Sequence, residues 1–270
     1  MNRQPRKQRN SISLFSRAGK TLPLILALAG FAILLPVAAQ EGTAGEILSG
    51  MKPLLFSQVD FFSRIHMTET LTATAASAPN ENQIEYFFFR RDAGNVMLLF
   101  QKKPAALSGY GFIWQEGNLA AFNPSCRCFS ALDSSALIER AGFNFEEINP
   151  QLFSLFYPVT RATYSDTASG RIVTVGLETP AGKKSAQRLK LTLGGNPVLP
   201  LRIEYLNEKA DTERTVTYLS YFAIEARYFP RLVRIDGKDG RSITLEFDSP
   251  SLNPVPDFVF TKAYLQELSQ

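Results

Sequence analysis

A single histidine, His66, stands in the 270-residue chain, so no His-paired metal site can form, and a Ser-His-Asp triad would have to run through this one residue. It falls on the polar side of a strand-like stretch beside Arg64 and Thr68, the setting of a solvated side chain. Cysteine is almost as scarce. Cys126 and Cys128 are the only two, and no paired base accompanies them; Arg127 alone does not make an activated thiolate. Long apolar runs are missing as well: the one from Leu22 to Val37 covers about 16 residues, short of the ~20 that a spanning helix needs. Nor is there a domain linker, a low-complexity tract or a clear repeat.

Acidic residues are absent before Glu41, whereas Arg3, Arg6, Lys7, Arg9, Arg17 and Lys20 precede the apolar run and Val37-Ala38-Ala39 follows it as a small-residue cleavage site. Residues 1–39 therefore read as a cleaved signal peptide, the alternative being an uncleaved anchor. The formal charge of +4 belongs to this leader: without its six bases, 23 basic side chains face 25 acidic ones, a net of −2. That removes the basis for a nucleic-acid partner. No cysteine follows the cleavage site, so the chain is expected to be an exported, soluble, periplasmic protein and not itself a lipoprotein, with residues 40–270 as one domain.

What the chain has in abundance is aromatic strand. Ile84 to Arg91, Val96 to Gln101, Tyr110 to Gln115 and Leu119 to Asn123 are rich in aromatic and branched residues and separated by turn formers, the pattern of an antiparallel meander. Tyr86, Phe87, Phe88, Phe89, Phe100, Tyr110, Phe112, Trp114 and Phe122 cannot all face solvent. Either they fill a thick core or they line a cavity that a ligand fills.

Before the meander, Thr43 to Leu55 offers a capping box in Thr43 and Glu46 with Ile47, Leu48, Met51 and Leu55 on one face, weakened by Gly45, Gly50 and Pro53. A helix so poor on its own needs a surface to hold it, as a plug or as a mobile lid. Val59 to Ala73 alternates as a half-buried strand. After the meander come short helices: one capped by Asp133 and ended by Gly142, one opening on Asn144 and Glu147, and one after Asn149-Pro150 through Leu152, Phe153 and Phe156. Glu146 and Glu147 read as carboxylates favoured by a helix N-terminus. Seven further strands follow from Val159 to Phe247, several with clean alternation such as Leu189, Leu191 and Leu193 against Arg188, Lys190 and Thr192. About ten or eleven antiparallel strands in one domain curl. The expected fold is mainly β with short helices (α+β): a strongly curved antiparallel sheet forming an incomplete barrel with a helical lid or plug.

The two cysteines leave three states open. Residues i and i+2 of an extended strand lie about 6.5 to 7 Å apart, at the limit of a disulfide. A Cys126–Cys128 bridge therefore needs a turn; reduced thiols and pairing to another chain are the alternatives.

The run GYGFIWQEGNLAAFNPS at 109–125, followed by GFNFEEI at 142–148, resembles the outer-membrane lipoprotein-sorting (LolA-like) family, with its Gly-Tyr strand, Gly-Asn turn, "YDPS" segment and helix start. The close likeness covers the middle quarter of the chain. Two departures stand out: Ala120 or Ala121 where many members have Trp, and Cys126-Arg127-Cys128 where they have a basic run. Pro254 to Phe260 is similar to the family's closing Pro-rich strand, with a helical turn from Tyr264 to Leu268 after it. The resemblance implies a non-enzymatic carrier without cofactor or metal that takes the acyl chains of lipoproteins or lipids into an apolar cavity and works with inner- or outer-membrane partner proteins. Candidate cavity residues are Ile65, Met67, Leu98, Phe100, Phe112, Trp114 and Phe122, and the family's lid-holding strand arginine falls at Arg90 or Arg91. A dry face fully packed by Leu152, Phe153 and Phe156 would leave no room for such a ligand. A lipid- or lipoprotein-sensing module of the same fold is the runner-up, and an exported thiol-dependent enzyme the remote third.

Overall fold

The computed structural model of the protein describes residues 43–55, 60–71, 81–168, 170–178 and 188–269. The expected signal peptide and the turn at Gly182-Lys183-Lys184 lie outside the described residues.

Thirteen strands form one antiparallel sheet: β1 (Phe61–Leu71), β2 (Glu81–Arg91), β3 (Val96–Lys103), β4 (Gly111–Gln115), β5 (Asn118–Asn123), β6 (Cys128–Leu132), β7 (Val159–Thr167), β8 (Gly170–Glu178), β9 (Arg188–Gly194), β10 (Leu199–Leu206), β11 (Thr212–Ile224), β12 (Arg227–Gly237) and β13 (Arg241–Ser251). The order is β6-β5-β4-β3-β2-β1-β13-β12-β11-β10-β9-β8-β7. From β1 the chain meanders outward to one edge, β6; helices α2 (Ser134–Ala141), α3 (Phe145–Ile148) and α4 (Gln151–Phe156) then carry it to the opposite edge, β7. It meanders back until β13 pairs with β1, Met67 opposite Leu245. The two edges do not pair with each other, so the sheet is open, as the strand pattern predicts.

Each face of the sheet has its own apolar layer. On the inner face, α1 (Ala44–Leu55) and the α2–α4 insert cover Phe61, Ile65, Met67, Tyr86, Phe88, Met97, Leu99 and their counterparts out to β8. On the outer face of β2–β5, a 3-10 turn at Asp257–Phe260 and α5 (Lys262–Leu268) bring Val255, Val259, Phe260 and Leu265 against Val96, Leu98, Phe100, Ile113 and Phe122. Every residue of β3 from Val96 to Gln101 is buried, because both faces are covered there. At Gly111 an added Cβ would lie 2.6 Å from Leu265 Cδ2, so the close approach of α5 requires glycine.

Two expectations are corrected, and the open pairing of the cysteines is resolved. The described residues form thirteen strands and not ten or eleven; β6 carries a weak sequence signal because Phe129 and Leu132 are the only large apolar residues of its five. Pro254 to Phe260 is not a strand, since Pro254 and Pro256 have no N–H to give a ladder and the chain turns at Asp257 instead. The cysteines are bonded to each other: Arg127 takes φ of +50° and folds the segment so that the Cα atoms of Cys126 and Cys128 stand 5.2 Å apart.

Candidate lid latch and acyl-binding face

The inner helical layer is built from local signals. Thr43 Oγ1 accepts from Glu46 N while Glu46 returns a bond to Thr43 N, starting α1. Asp133 accepts from Ala136 N at 2.8 Å to start α2, and Gly142 ends it at φ of +82°. Asn144 and Glu147 form a complete capping box, both bonds 2.9 Å. These caps aim Leu48, Met51, Leu55, Leu137, Phe143, Phe145, Ile148, Leu152 and Phe153 at the sheet, where all are buried.

Two polar anchors fix this layer. In the first, Arg90 of β2 donates from Nη1 to Asn149 Oδ1 (2.9 Å) and from Nη2 to Leu55 O (2.9 Å) and Asp92 Oδ2 (2.8 Å). Gln151 Nε2 donates to the other oxygen of Asp92 at 2.6 Å. Arg90 is 3% exposed, and its guanidinium lies 5.6 and 5.2 Å from the stacked rings of Phe61 and Phe229. One side chain thus ties both α1 and the α3–α4 junction to the sheet. Arg91, one residue on, points to the opposite face, as strand geometry demands. It pairs there with Asp60 and Asp257 and donates to Val255 O, holding the C-terminal segment.

The second anchor is on β11. Arg214 donates to Glu147 through Nε (2.6 Å) and Nη2 (3.0 Å) and to Gly142 O (2.7 Å), while Tyr218 donates to Glu147 O (2.9 Å). Glu146 accepts from Tyr157 at 2.6 Å. Burial first, then Glu146, pushes the Tyr157 phenol above its ordinary range. Glu147 is therefore a buried joint as well as a helix cap, which no local pattern announced.

Of the seven candidate cavity residues, Ile65, Met67 and Phe112 lie in the inner core and Trp114 packs against it. Leu98, Phe100 and Phe122 lie on the outer face beneath the C-terminal segment, so the seven do not converge on one surface. Period-two alternation grouped each strand's residues correctly but could not say which face the helices cover. His66 is exposed at the strand surface, its Nε2 3.8 Å from Asp248. Leu152 and Phe153 are fully buried on the inner face in this closed arrangement, and the side chain of Phe156 lies outside the described residues. An acyl chain entering this face must move the insert. Among the described residues no helix is long and apolar enough to cross a membrane.

No family model matches the sequence, and no curated protein matches it. Solved structures do. A LolA superfamily protein from Nitrosomonas europaea aligns with a TM-score of 0.66 at 18% identity over 83% of this chain and 99% of its own. A DUF1329 family protein from Desulfovibrio piger aligns at 0.68 and 13%, over 82% of this chain and 97% of its own. An outer-membrane lipoprotein-sorting protein domain from Vibrio parahaemolyticus aligns at 0.68 and 14% with the same coverage. Likeness at such identities is likeness of fold: the chain has the fold of the LolA-superfamily lipoprotein-sorting proteins.

Proposed function

We propose that the protein is an exported, non-enzymatic carrier of lipidated protein. In this reading acyl chains bind on the inner face of the sheet, with α1 and the α3–α4 junction as the lid and Ile65, Met67, Phe112 and Trp114 in the lining. The observation that carries the reading is the Arg90 latch, in which one buried guanidinium holds both lid pieces over a predominantly apolar face. Burial of a methylene is worth ~0.8 kcal/mol, so one long acyl chain releases on the order of 10 kcal/mol. Opening hydrogen bonds costs about 1 kcal/mol each, and re-exposing the buried side chains of α1, α3 and α4 about 2 kcal/mol each, so the opening is offset when the two or three chains of a lipoprotein anchor cover that face together, with no covalent step. Handing the cargo to a membrane partner then amounts to reclosing the lid.

The test is native mass spectrometry of protein purified without detergent, before and after organic extraction. A bound lipid or lipopeptide mass that extraction removes is expected. A protein mass that stays bare when acylated peptides are added overturns the reading.

A further inference from the structure

The inner core contains a hydrogen-bond donor with no acceptor among the described residues. Tyr205, on β10, is 3% exposed, and its hydroxyl has no partner among the described residues. Its surroundings explain why. The polar groups nearest in the packing are oriented to other donors: Glu147 Oε1 and Oε2 to Arg214 and Asn144 N, the Glu147 carbonyl to Tyr218, and Glu146 Oε2 to Tyr157. Tyr205 pairs across the ladder with Arg214 itself, whose guanidinium turns instead to Glu147 and Gly142. Buried hydroxyls are ordinarily bonded, because leaving one unmade forfeits its hydration for nothing. Burial, then the Glu147 and Glu146 carboxylates, push the phenol well above its ordinary range, so it stays protonated and remains a donor.

We propose that Tyr205 is the polar anchor of the acyl site, donating to the carbonyl of an ester- or amide-linked acyl chain that enters when the insert lifts. The surroundings set the chemistry: a buried phenol donates to a neutral carbonyl, whereas the anionic head of a free fatty acid loses its hydration in this apolar core at a far higher cost. Tyr205 thus selects an acyl linkage over a bare hydrocarbon or a soap. The inference rests on the acyl-carrier reading above and deepens it.

Binding of three probes tests it: a peptide carrying a dipalmitoyl-glyceryl thioether on its N-terminal cysteine, the dialkyl ether analogue of that peptide, and free palmitate. The unmodified protein is expected to prefer the ester probe over the ether probe by roughly five- to tenfold, the worth of one neutral hydrogen bond, and to bind palmitate least. Tyr205→Phe is expected to abolish the ester preference and keep the ether affinity, with thermal stability equal or higher. Equal binding of ester and ether probes by the unmodified protein, or a preference that survives in Tyr205→Phe, overturns the assignment while leaving the carrier reading intact. Binding of neither the diacyl nor the dialkyl probe overturns the carrier reading itself.

Discussion

Arg90 Nη2 donates to the carbonyl oxygen of Leu55 at 2.9 Å, so a strand side chain closes the C-terminal end of α1 onto the sheet. The carbonyls of a last helical turn lack intrahelical partners and carry partial negative charge, which makes a guanidinium the fitting group there. A helix weakened by Gly45, Gly50 and Pro53 depends on such a tie.

Replacing Arg90 by Met removes the tie and takes the Arg90 guanidinium away from Asp92, whose side chain is 2% exposed. Thermal stability is expected to fall by about 3 kcal/mol, and amides of α1 to exchange faster while those of β11–β13 keep their protection. Adding Asp92→Asn recovers part of the loss. Unchanged exchange in α1 would show that Arg90 is not a latch.

Gly142 seats the insert on β13. Its φ is +82°, and an added Cβ would lie 2.7 Å from Ile243 Cδ1. Gly142→Ala is expected to cost about 2 kcal/mol in denaturant unfolding, from backbone strain together with the contact.

Asp60 accepts from Arg91 at 2.7 and 2.8 Å and from Val255 N at 2.6 Å. The Arg91 hydrogen bonds hold its carboxyl below the ordinary value of 3.8, against the opposing push of burial. A depressed folded value means stability that is present above the ordinary value and lost as pH falls through the depressed one. Melting temperature is expected to hold from neutral pH down to about 5 and to drop below about 4. Asp60→Asn should lower it by a few degrees at neutral pH and flatten the acid limb; an unchanged acid limb would remove Asp60 from the account.

Cys126 and Cys128 close a loop with one residue between them, so their bond removes little chain entropy. The double Cys→Ser variant is expected to lose about 1.5 kcal/mol or less, and the native protein to resist alkylation until it is reduced. Labelling without reductant would contradict the bridge.

Tyr86 is fully buried, meets Phe143 edge to face at 5.8 Å, and its hydroxyl has no partner among the described residues. Removing that hydroxyl in Tyr86→Phe is expected to raise stability by about 1 kcal/mol, read as a higher melting temperature.

Most of the elements and the fold class are legible in the residues alone. Alternation in Leu189-Leu191-Leu193 and in Ile243-Leu245-Phe247, the Asp133 and Asn144 caps and the Gly142 stop are local signals, and each appears in the structure where the residues placed it. Which face is which follows from the packing of distant segments. Period two makes Leu98 and Phe100 partners of each other, but the strand does not say whether helices or the C-terminal turn cover them, and their covering, Val259 and Leu265, comes from more than 100 residues away in sequence. The same holds for the choice between Arg90 and Arg91, adjacent residues sent to opposite layers, and for the joint of Glu147 with Arg214 across 67 positions. A local pattern fixes a side chain's parity; its partner is set by the packing of whole layers, and the latch and the unpaired Tyr205 hydroxyl exist only at that level.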